Sequence, residues 1–136
     1  MKNFSIGLLV SDSSHNVLLR NTVLGNRVGF KVSSGSGNWL VGNRSVDTVR
    51  PVTDEGDADG FRVEAAASGT VLALNHANRA ADDGIDVEAP GTFLSHNTAN
   101  RNADLGIEAV AGVTDLGGNR ARGNGNPLQC LNVVCR

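Results

Sequence analysis

The tetrapeptide Leu94-Ser95-His96-Asn97 is one of five copies of the pattern L-x-x-N in this chain. The asparagines of successive copies are 22, 32, 22 and 22 residues apart, so the pattern repeats every 22 residues with a single insertion. A period of that length is typical of a solenoid, in which each repeat buries its apolar side chains only against neighbouring repeats. The five copies end at Asn21, Asn43, Asn75, Asn97 and Asn119.

A second pattern accompanies the asparagines. It consists of a glycine followed by an apolar, a usually charged and another apolar residue, as in Gly84-Ile85-Asp86-Val87. This alternation predicts a short, half-buried strand, with the glycine at the turn that leads into it. No window of the sequence has a helical period. The other copies are Gly7–Val10, Gly29–Val32, Gly60–Val63 and Gly106–Ala109.

The two patterns together predict an all-β protein, a right-handed single-stranded parallel β-helix of about five to six coils of 22 residues that forms one domain over residues 1–136. Successive coils would stack about 4.8 Å apart through parallel hydrogen bonds. The 17 glycines and 15 asparagines suit such a fold, because both residues favour tight turns. A leucine-rich repeat is the alternative, but it requires leucine at a position where this chain has asparagine or threonine.

Stacking of equivalent residues predicts two inward columns. The five asparagines would form an internal amide ladder, in which each buried amide donates to the carbonyl group of the next coil and is therefore satisfied. This interpretation gives the asparagines a structural rather than a catalytic role. The leucines of the same patterns would form one apolar stack of Leu18, Leu40, Leu72, Leu94 and Leu116.

Coils such as Asn97-Thr98-Ala99-Asn100 followed by Gly106-Ile107 make the chain resemble the pectate-lyase-like right-handed parallel β-helix proteins, in particular their parallel β-helix repeat members. The segment from Gly118 to Cys130 resembles the closing segment of secreted bacterial members. The resemblance implies the β-helix fold and an extracellular or cell-surface location in a bacterium. It leaves the activity open, because this fold hosts lyases, hydrolases, epimerases and non-enzymatic proteins.

Charge and hydropathy exclude some partners. The net charge of −2 offers no basic field to attract nucleic acid, and no apolar run is long enough to span a membrane. The N-terminus lacks the features of a signal peptide, so either a signal was removed or the chain is cytosolic. The first coil opens on a strand with no cap. We therefore expect a second copy to cover it in a homo-oligomer, or the chain to be part of a longer solenoid.

Two cysteines, Cys130 and Cys135, lie near the end of the chain in a closing segment, residues 118–136. Their local spacing predicts a disulfide that staples the last turn and indicates an oxidising compartment. Free thiols are the alternative. A metal site would need further ligands, and the nearest histidine, His96, is far away in the sequence.

The charged residues of the second pattern are Lys31, Arg62, Asp86 and Glu108, which stacked coils would place side by side on an outer face. Asp86 and Glu108 would then hold their carboxylates roughly 5 Å apart, as in retaining glycosidases. Alternatively, Asp86, Glu88 and Glu108 would bind Ca²⁺ beside Arg62, as in a polysaccharide lyase. The simpler interpretation is a row of exterior charges with one ordinary ion pair between Arg62 and Asp86.

Residues 48–57 form the insertion that interrupts the period. Insertions in solenoids project as loops and often form the wall of a binding site. Its carboxylates make a weak Ca²⁺ candidate, because hard cations prefer oxygen ligands, although the spacing is not that of a known calcium loop. A solvated acidic loop is the simpler interpretation. The candidate ligands are Asp54, Asp57 and Asp59.

These observations predict a non-catalytic parallel β-helix repeat module, structural or polysaccharide-binding, that needs no cofactor. The alternative is a lyase, hydrolase or epimerase acting on an acidic polysaccharide, with Arg62, Asp86 and Glu108 as its catalytic residues. No Ser–His–Asp arrangement can be built, because His76 and His96 fall at different offsets from the asparagines. Trp39 would stack on a sugar ring if it points outward; the other interpretation is that it shields the solenoid wall.

Overall fold

The computed structural model describes residues 1–53 and 55–136, which form a parallel β-solenoid. Its strands build three parallel sheets that run along the axis of the coils. Sheet 1 has six strands and sheets 2 and 3 have five each. The predicted all-β, parallel β-helix architecture is confirmed. No helix of the described residues is long and apolar enough to cross a membrane.

The strands are short, and each full coil contributes one strand to every sheet. Sheet 1 contains β1 (Ile6–Val10), β4 (Val28–Val32), β8 (Phe61–Val63), β12 (Ile85–Val87), β15 (Ile107–Ala109) and β18 (Cys130–Leu131). Sheet 2 contains β2 (Val17–Leu19), β6 (Trp39–Val41), β10 (Val71–Ala73), β13 (Phe93–Ser95) and β16 (Thr114–Asp115). Sheet 3 contains β3 (Thr22–Leu24), β7 (Arg44–Val46), β11 (His76–Asn78), β14 (Thr98–Asn100) and β17 (Arg120–Arg122). A small pair, β5 (Gly35–Ser36) and β9 (Ala67–Ser68), extends one corner.

The core is a set of inward columns. Phe30 and Phe61 stack with ring centroids 4.7 Å apart, and Ile85 and Ile107 continue their column. In sheet 2, Leu72 lies directly opposite Leu94. These side chains are essentially inaccessible to solvent, so burial of stacked aliphatic groups stabilises each coil against its neighbours.

The predicted leucine stack is wrong at its last member. Leu94 lies opposite Asp115, and Leu116 is 58% exposed. The last coil has one more residue between strand and asparagine than the others, and the extra length is taken up at Gly117. The carboxylate of Asp115 accepts hydrogen bonds from Gly117 and from the amide of Asn119, and this local turn places Leu116 outside.

The glycines that precede the strands of sheet 1 have a different role from the predicted one. Gly84 has no positive φ, so it is not needed for a turn. A Cβ at this position would lie 2.5 Å from Nδ2 of Asn102, 2.6 Å from the carbonyl oxygen of Gly106 and 2.9 Å from Cβ of Ala99. Glycine is therefore required by close packing.

The tight turns instead use left-handed residues immediately before each ladder asparagine. Leu74 and His96 have φ values of 58° and 52°. Bulky residues are strained in this conformation, which is held by the surrounding hydrogen bonds. The full column is Arg20, Gly42, Leu74, His96 and Gly118.

The five asparagines form a continuous hydrogen-bonded ladder inside the solenoid. The main-chain N–H and the side-chain amide of Asn75 both donate to Oδ1 of Asn97, at 3.0 and 3.2 Å. The amide of Asn97 donates in turn to Oδ1 of Asn119 and to the carbonyl oxygen of Leu72. A second, interrupted ladder, which the sequence analysis missed, lies five residues further on and includes Asn102.

Candidate functional site

The charged residues of the second sequence pattern stand side by side on the outer face of sheet 1. Lys31 lies opposite Arg62, Arg62 opposite Asp86, and Asp86 opposite Glu108. Each is the outward residue between two buried ones, which fix its position. A groove of about 530 Å³, which we call the acidic groove, crosses this face. Its charged lining residues are Asp57, Asp59, Arg62, Asp82, Asp83, Asp86, Glu88, Asp104 and Glu108.

Arg62 lies at the centre of an ion network. Its guanidinium donates to Asp86 and, at 2.7 Å, to Glu88 on the next coil. On its own coil it contacts Asp57 at 3.1 Å and Asp59 at 3.2 Å, and only 11% of its side chain is exposed. Burial lowers the pKa of Arg62, but the surrounding carboxylates raise it by more. Arg62 is therefore a fixed positive charge and is unsuited to act as a base.

Asp83 and Asp86 of the groove hold protons more tightly than usual. Asp83 is buried, and its Oδ1 accepts the N–H of Leu105 at 2.7 Å. Burial, and then a hydrogen bond with Glu108, raises the pKa of Asp83 to about 8. Burial also raises the pKa of Asp86 to about 6, against the attraction of Arg62. The groove therefore offers both proton-bearing and ionised carboxyl groups near neutral pH.

The insertion is anchored to the coil below it. The hydroxyl of Thr48 donates to the carbonyl oxygen of Ala58 and accepts the N–H of Ala81 at 2.9 Å. Asp59, which follows the insertion, is buried and accepts the N–H of Asp83 at 3.2 Å. Burial raises the pKa of Asp59 to about 7. Thr48 at the start of the insertion and Asp59 just after its end are therefore buried and hydrogen-bonded where the insertion borders the groove.

Two of the three carboxylates predicted to bind Ca²⁺ lie beside Arg62. Asp57 and Asp59 both contact Nη1 of Arg62, which supplies the positive charge at that point. Asp54, the third predicted ligand, lies outside the described residues. Elsewhere in the groove, three carboxylates bring one oxygen each within 4.8 Å of the others. These residues are Asp82, Asp83 and Asp104.

The structure brings together Arg62, Asp86 and Glu108, which the sequence analysis named, with Asp83, which it missed. A sequence signal for Asp83 was present, because Asp59 and Asp83 each stand directly before a glycine of the second pattern. That position is inward and buried, so an aspartate there must be hydrogen-bonded or protonated.

The remaining candidates lie away from the groove. Trp39 is 52% exposed on the outer face of sheet 2, so it points outward. His76 and His96 are exposed near sheet 3 and do not pair with each other. Cys130 and Cys135 form the predicted disulfide.

Comparison with known proteins identifies the fold family. A family model described as a right-handed β-helix region matches residues 2–125, which is most of the chain. A search of curated proteins found no match, and a search of solved structures also found none.

Proposed function

The chain belongs to the family of right-handed β-helix regions, and from that membership we propose that it is a non-catalytic module that binds polysaccharide in the acidic groove. The observation that carries the proposal is the state of Arg62. This residue is held by carboxylates of two coils, while Glu108 and Asp104 line the same groove with no salt bridge among the described residues.

Binding fits the groove better than catalysis does. A lyase needs a base that can accept a proton, and the raised pKa of Arg62 works against that role. A retaining hydrolase needs two accessible carboxyl groups, but Asp86 is paired with Arg62 and Asp83 is buried. Glu108 is half-buried and has no salt bridge among the described residues, so an oxygen of its carboxylate that does not face Asp83 can accept a hydrogen bond from a hydroxyl group.

Charge indicates which polysaccharide the groove prefers. Eight carboxyl groups and one guanidinium line it, so its potential is negative wherever these groups are ionised. Ionised carboxylates accept hydrogen bonds from sugar hydroxyls, and they attract protonated amino groups. We therefore expect the order of affinity to be amino sugar, then neutral sugar, then uronate.

Isothermal titration with oligomers of glucosamine, xylose and galacturonate tests this order directly. Glu108→Gln should weaken binding of the glucosamine oligomer about tenfold, because a charge-assisted hydrogen bond becomes a neutral one. Asp12→Asn, an exposed carboxylate outside the groove, is the matched control and should bind like the parent chain. Binding of the glucosamine oligomer that Glu108→Gln leaves unchanged, or a change in galacturonate binding by that variant as large as its change in glucosamine binding, would contradict the proposal.

A glycoside hydrolase is the second candidate function. The feature in its favour is that Asp83 and Glu108 line the same groove, and that burial and the neighbouring Glu108 raise the pKa of Asp83 to about 8. Assays for reducing sugar and for ultraviolet-absorbing unsaturated products, run on the same three oligomers, distinguish the candidates. Product release that Glu108→Gln abolishes would replace the binding function with a catalytic one.

A further inference from the structure

Five arginines share one outer side of the solenoid, which we call the basic face. Arg44 and Arg120 stand in one outward column of sheet 3, and Arg122 stands in the neighbouring column. Arg79 and Arg101 occupy equivalent positions at the turn that follows this sheet. All five are exposed, so their guanidinium groups lie at the surface.

The positive charge of this face is largely uncompensated. Asp47 pairs with Arg79, and the hydrogen bond from Arg79 lowers the pKa of Asp47. Arg101, Arg120 and Arg122 have no salt bridge to any carboxylate of the described chain. The inference from net charge that the protein has no basic field is therefore wrong for sheet 3. The net charge of −2 is a sum over the whole chain, in which the positive basic face and the negative acidic groove largely cancel.

The basic face is concave and mixes charge with amide groups. A depression of about 550 Å³ is bordered by Arg79, Arg101 and Arg122, with Asn78 and Asn100 between them. Asn78, Asn100 and Arg122 follow one another in register on β11, β14 and β17. Guanidinium groups therefore recur beside amides at the coil spacing of about 4.8 Å.

We propose that the basic face binds an anionic polysaccharide whose sugar rings carry carboxylate or sulfate groups. The planar guanidinium groups of Arg101 and Arg122 match these anions with paired N–H donors. The amides of Asn78 and Asn100 hydrogen bond to the hydroxyl groups of the same rings, Asn100 through Nδ2 because its Oδ1 is buried. An extended chain of rings crosses the strands, and successive coils contact successive rings.

Two observations favour a polysaccharide over a nucleic acid. Proteins that bind single-stranded nucleic acid without sequence preference use aromatic side chains, on which the bases stack, together with basic residues. The described residues of sheet 3 include no tryptophan, phenylalanine or tyrosine, whereas the amide columns offer hydrogen bonds to hydroxyl groups. The basic face thus offers guanidinium groups for the anionic groups of an acidic polysaccharide and amides for its hydroxyl groups.

This site is independent of the proposed function of the acidic groove, because the two lie on different sheets and have opposite charge. Failure of one leaves the other standing. Glu108→Gln tests the groove alone, and arginine variants test the basic face alone.

The experiment measures binding of a galacturonate oligomer and a sulfated heparin oligomer to the whole chain by isothermal titration. Arg101→Gln and Arg122→Gln should each weaken binding of the preferred oligomer about tenfold. Arg20→Gln, an exposed arginine three coils away from Arg101, is the matched control and should change affinity less than about twofold. Added salt should weaken binding steeply, because exposed charges are screened. The variants are exposed, and circular dichroism checks that they remain folded.

Three outcomes overturn the proposal. Tighter binding of duplex DNA than of either oligomer would make the face a nucleic-acid site. Salt-dependent self-association that Arg122→Gln abolishes would make it an interface with the acidic groove of a second copy. Equal binding by the parent chain and both arginine variants would show that the face does not contact the oligomer.

Discussion

The acidic groove and the basic face are built on the same repeating coil but hold their charges differently. In the groove, Arg62 is nearly buried and contacts five carboxylates. On the basic face, Arg101 and Arg122 are exposed and stand apart from the described carboxylates. Buried charges must be paired, whereas exposed ones need not be. The groove's ion network is therefore part of the fold, and the charges of the basic face are available for ligands.

Replacement of the central arginine should have the largest effect. Arg62→Gln would leave Asp59 and Asp86 without their counter-charge, at a cost of about 3–5 kcal/mol in the free energy of unfolding at neutral pH. Arg122→Gln, the matched change on the basic face, should cost less than about 0.5 kcal/mol. Urea unfolding of both variants measures the difference. Similar stabilities would show that the groove's network does not support the fold.

Replacing an asparagine of the inner ladder should destabilise the fold more than replacing one on the outer face of sheet 3. Asn97→Ala would remove the oxygen that accepts the main-chain N–H and the side-chain amide of Asn75, and the amide that donates to the carbonyl oxygen of Leu72. These losses should lower the free energy of unfolding by about 2–3 kcal/mol. Asn100→Ala, on the basic face, should cost less than about 0.5 kcal/mol. Urea unfolding again provides the comparison. A larger loss for the Asn100 variant would contradict the distinction between inner and outer columns.

The two regions should also differ in the sign of their pH dependence. The pKa of Asp83 is about 8 in the folded protein and near 3.8 unfolded, so between these values the folded state binds more protons. Stability should then fall as pH rises from about 4 to 8. Asp83→Asn removes this penalty and keeps the acceptor for Leu105, so it should raise the Tm at pH 8 by roughly 3–6 °C and flatten the pH profile.

Asp47 on the basic face provides the opposite control. The hydrogen bond from Arg79 lowers the pKa of Asp47 in the folded protein. Asp47 therefore stabilises the fold above its unfolded pKa, and this stabilisation is lost as pH falls. Asp47→Asn should therefore give no gain in Tm at pH 8. A gain equal to that of the Asp83 variant would show that the effect comes from general charge reduction.

The smallest effect is expected at the turn between sheets 2 and 3. Leu74 is 54% exposed and has a φ of 58°, so Leu74→Gly should relieve strain and raise the Tm by about 1–3 °C. Leu24→Gly, at an exposed leucine in the extended strand β3, should lower the Tm instead. Calorimetry measures both. A lower Tm for the Leu74 variant would mean that its side chain contributes packing.

The fold was predictable because stacking requires one inward residue type at each position of every coil. The 22-residue period is therefore visible in the sequence at Leu72, Leu94 and the five asparagines. Leu116 could not be placed from the period alone, because one extra residue in the last coil is absorbed by a turn that Asp115 stabilises.

The site was less predictable, because outward positions are not constrained by packing. The row through Arg62, Asp86 and Glu108 followed from the register, whereas Asp83 lies outside that row, directly before the glycine of the pattern, and its position beside Asp59 is visible only in the folded chain. The basic face left a weaker signal. Its arginines occupy three different positions of the repeat, so only the folded chain brings Arg101 and Arg122 together.

The asparagine ladder has a consequence for the length of the molecule. Asn75 makes the same bonds to Asn97 that Asn97 makes to Asn119, so one coil can be removed or duplicated without creating a new kind of junction. Gene duplication of 22 residues would lengthen the rod by about 4.8 Å. Relatives could thus differ in the reach of their outer surfaces while sharing one interior.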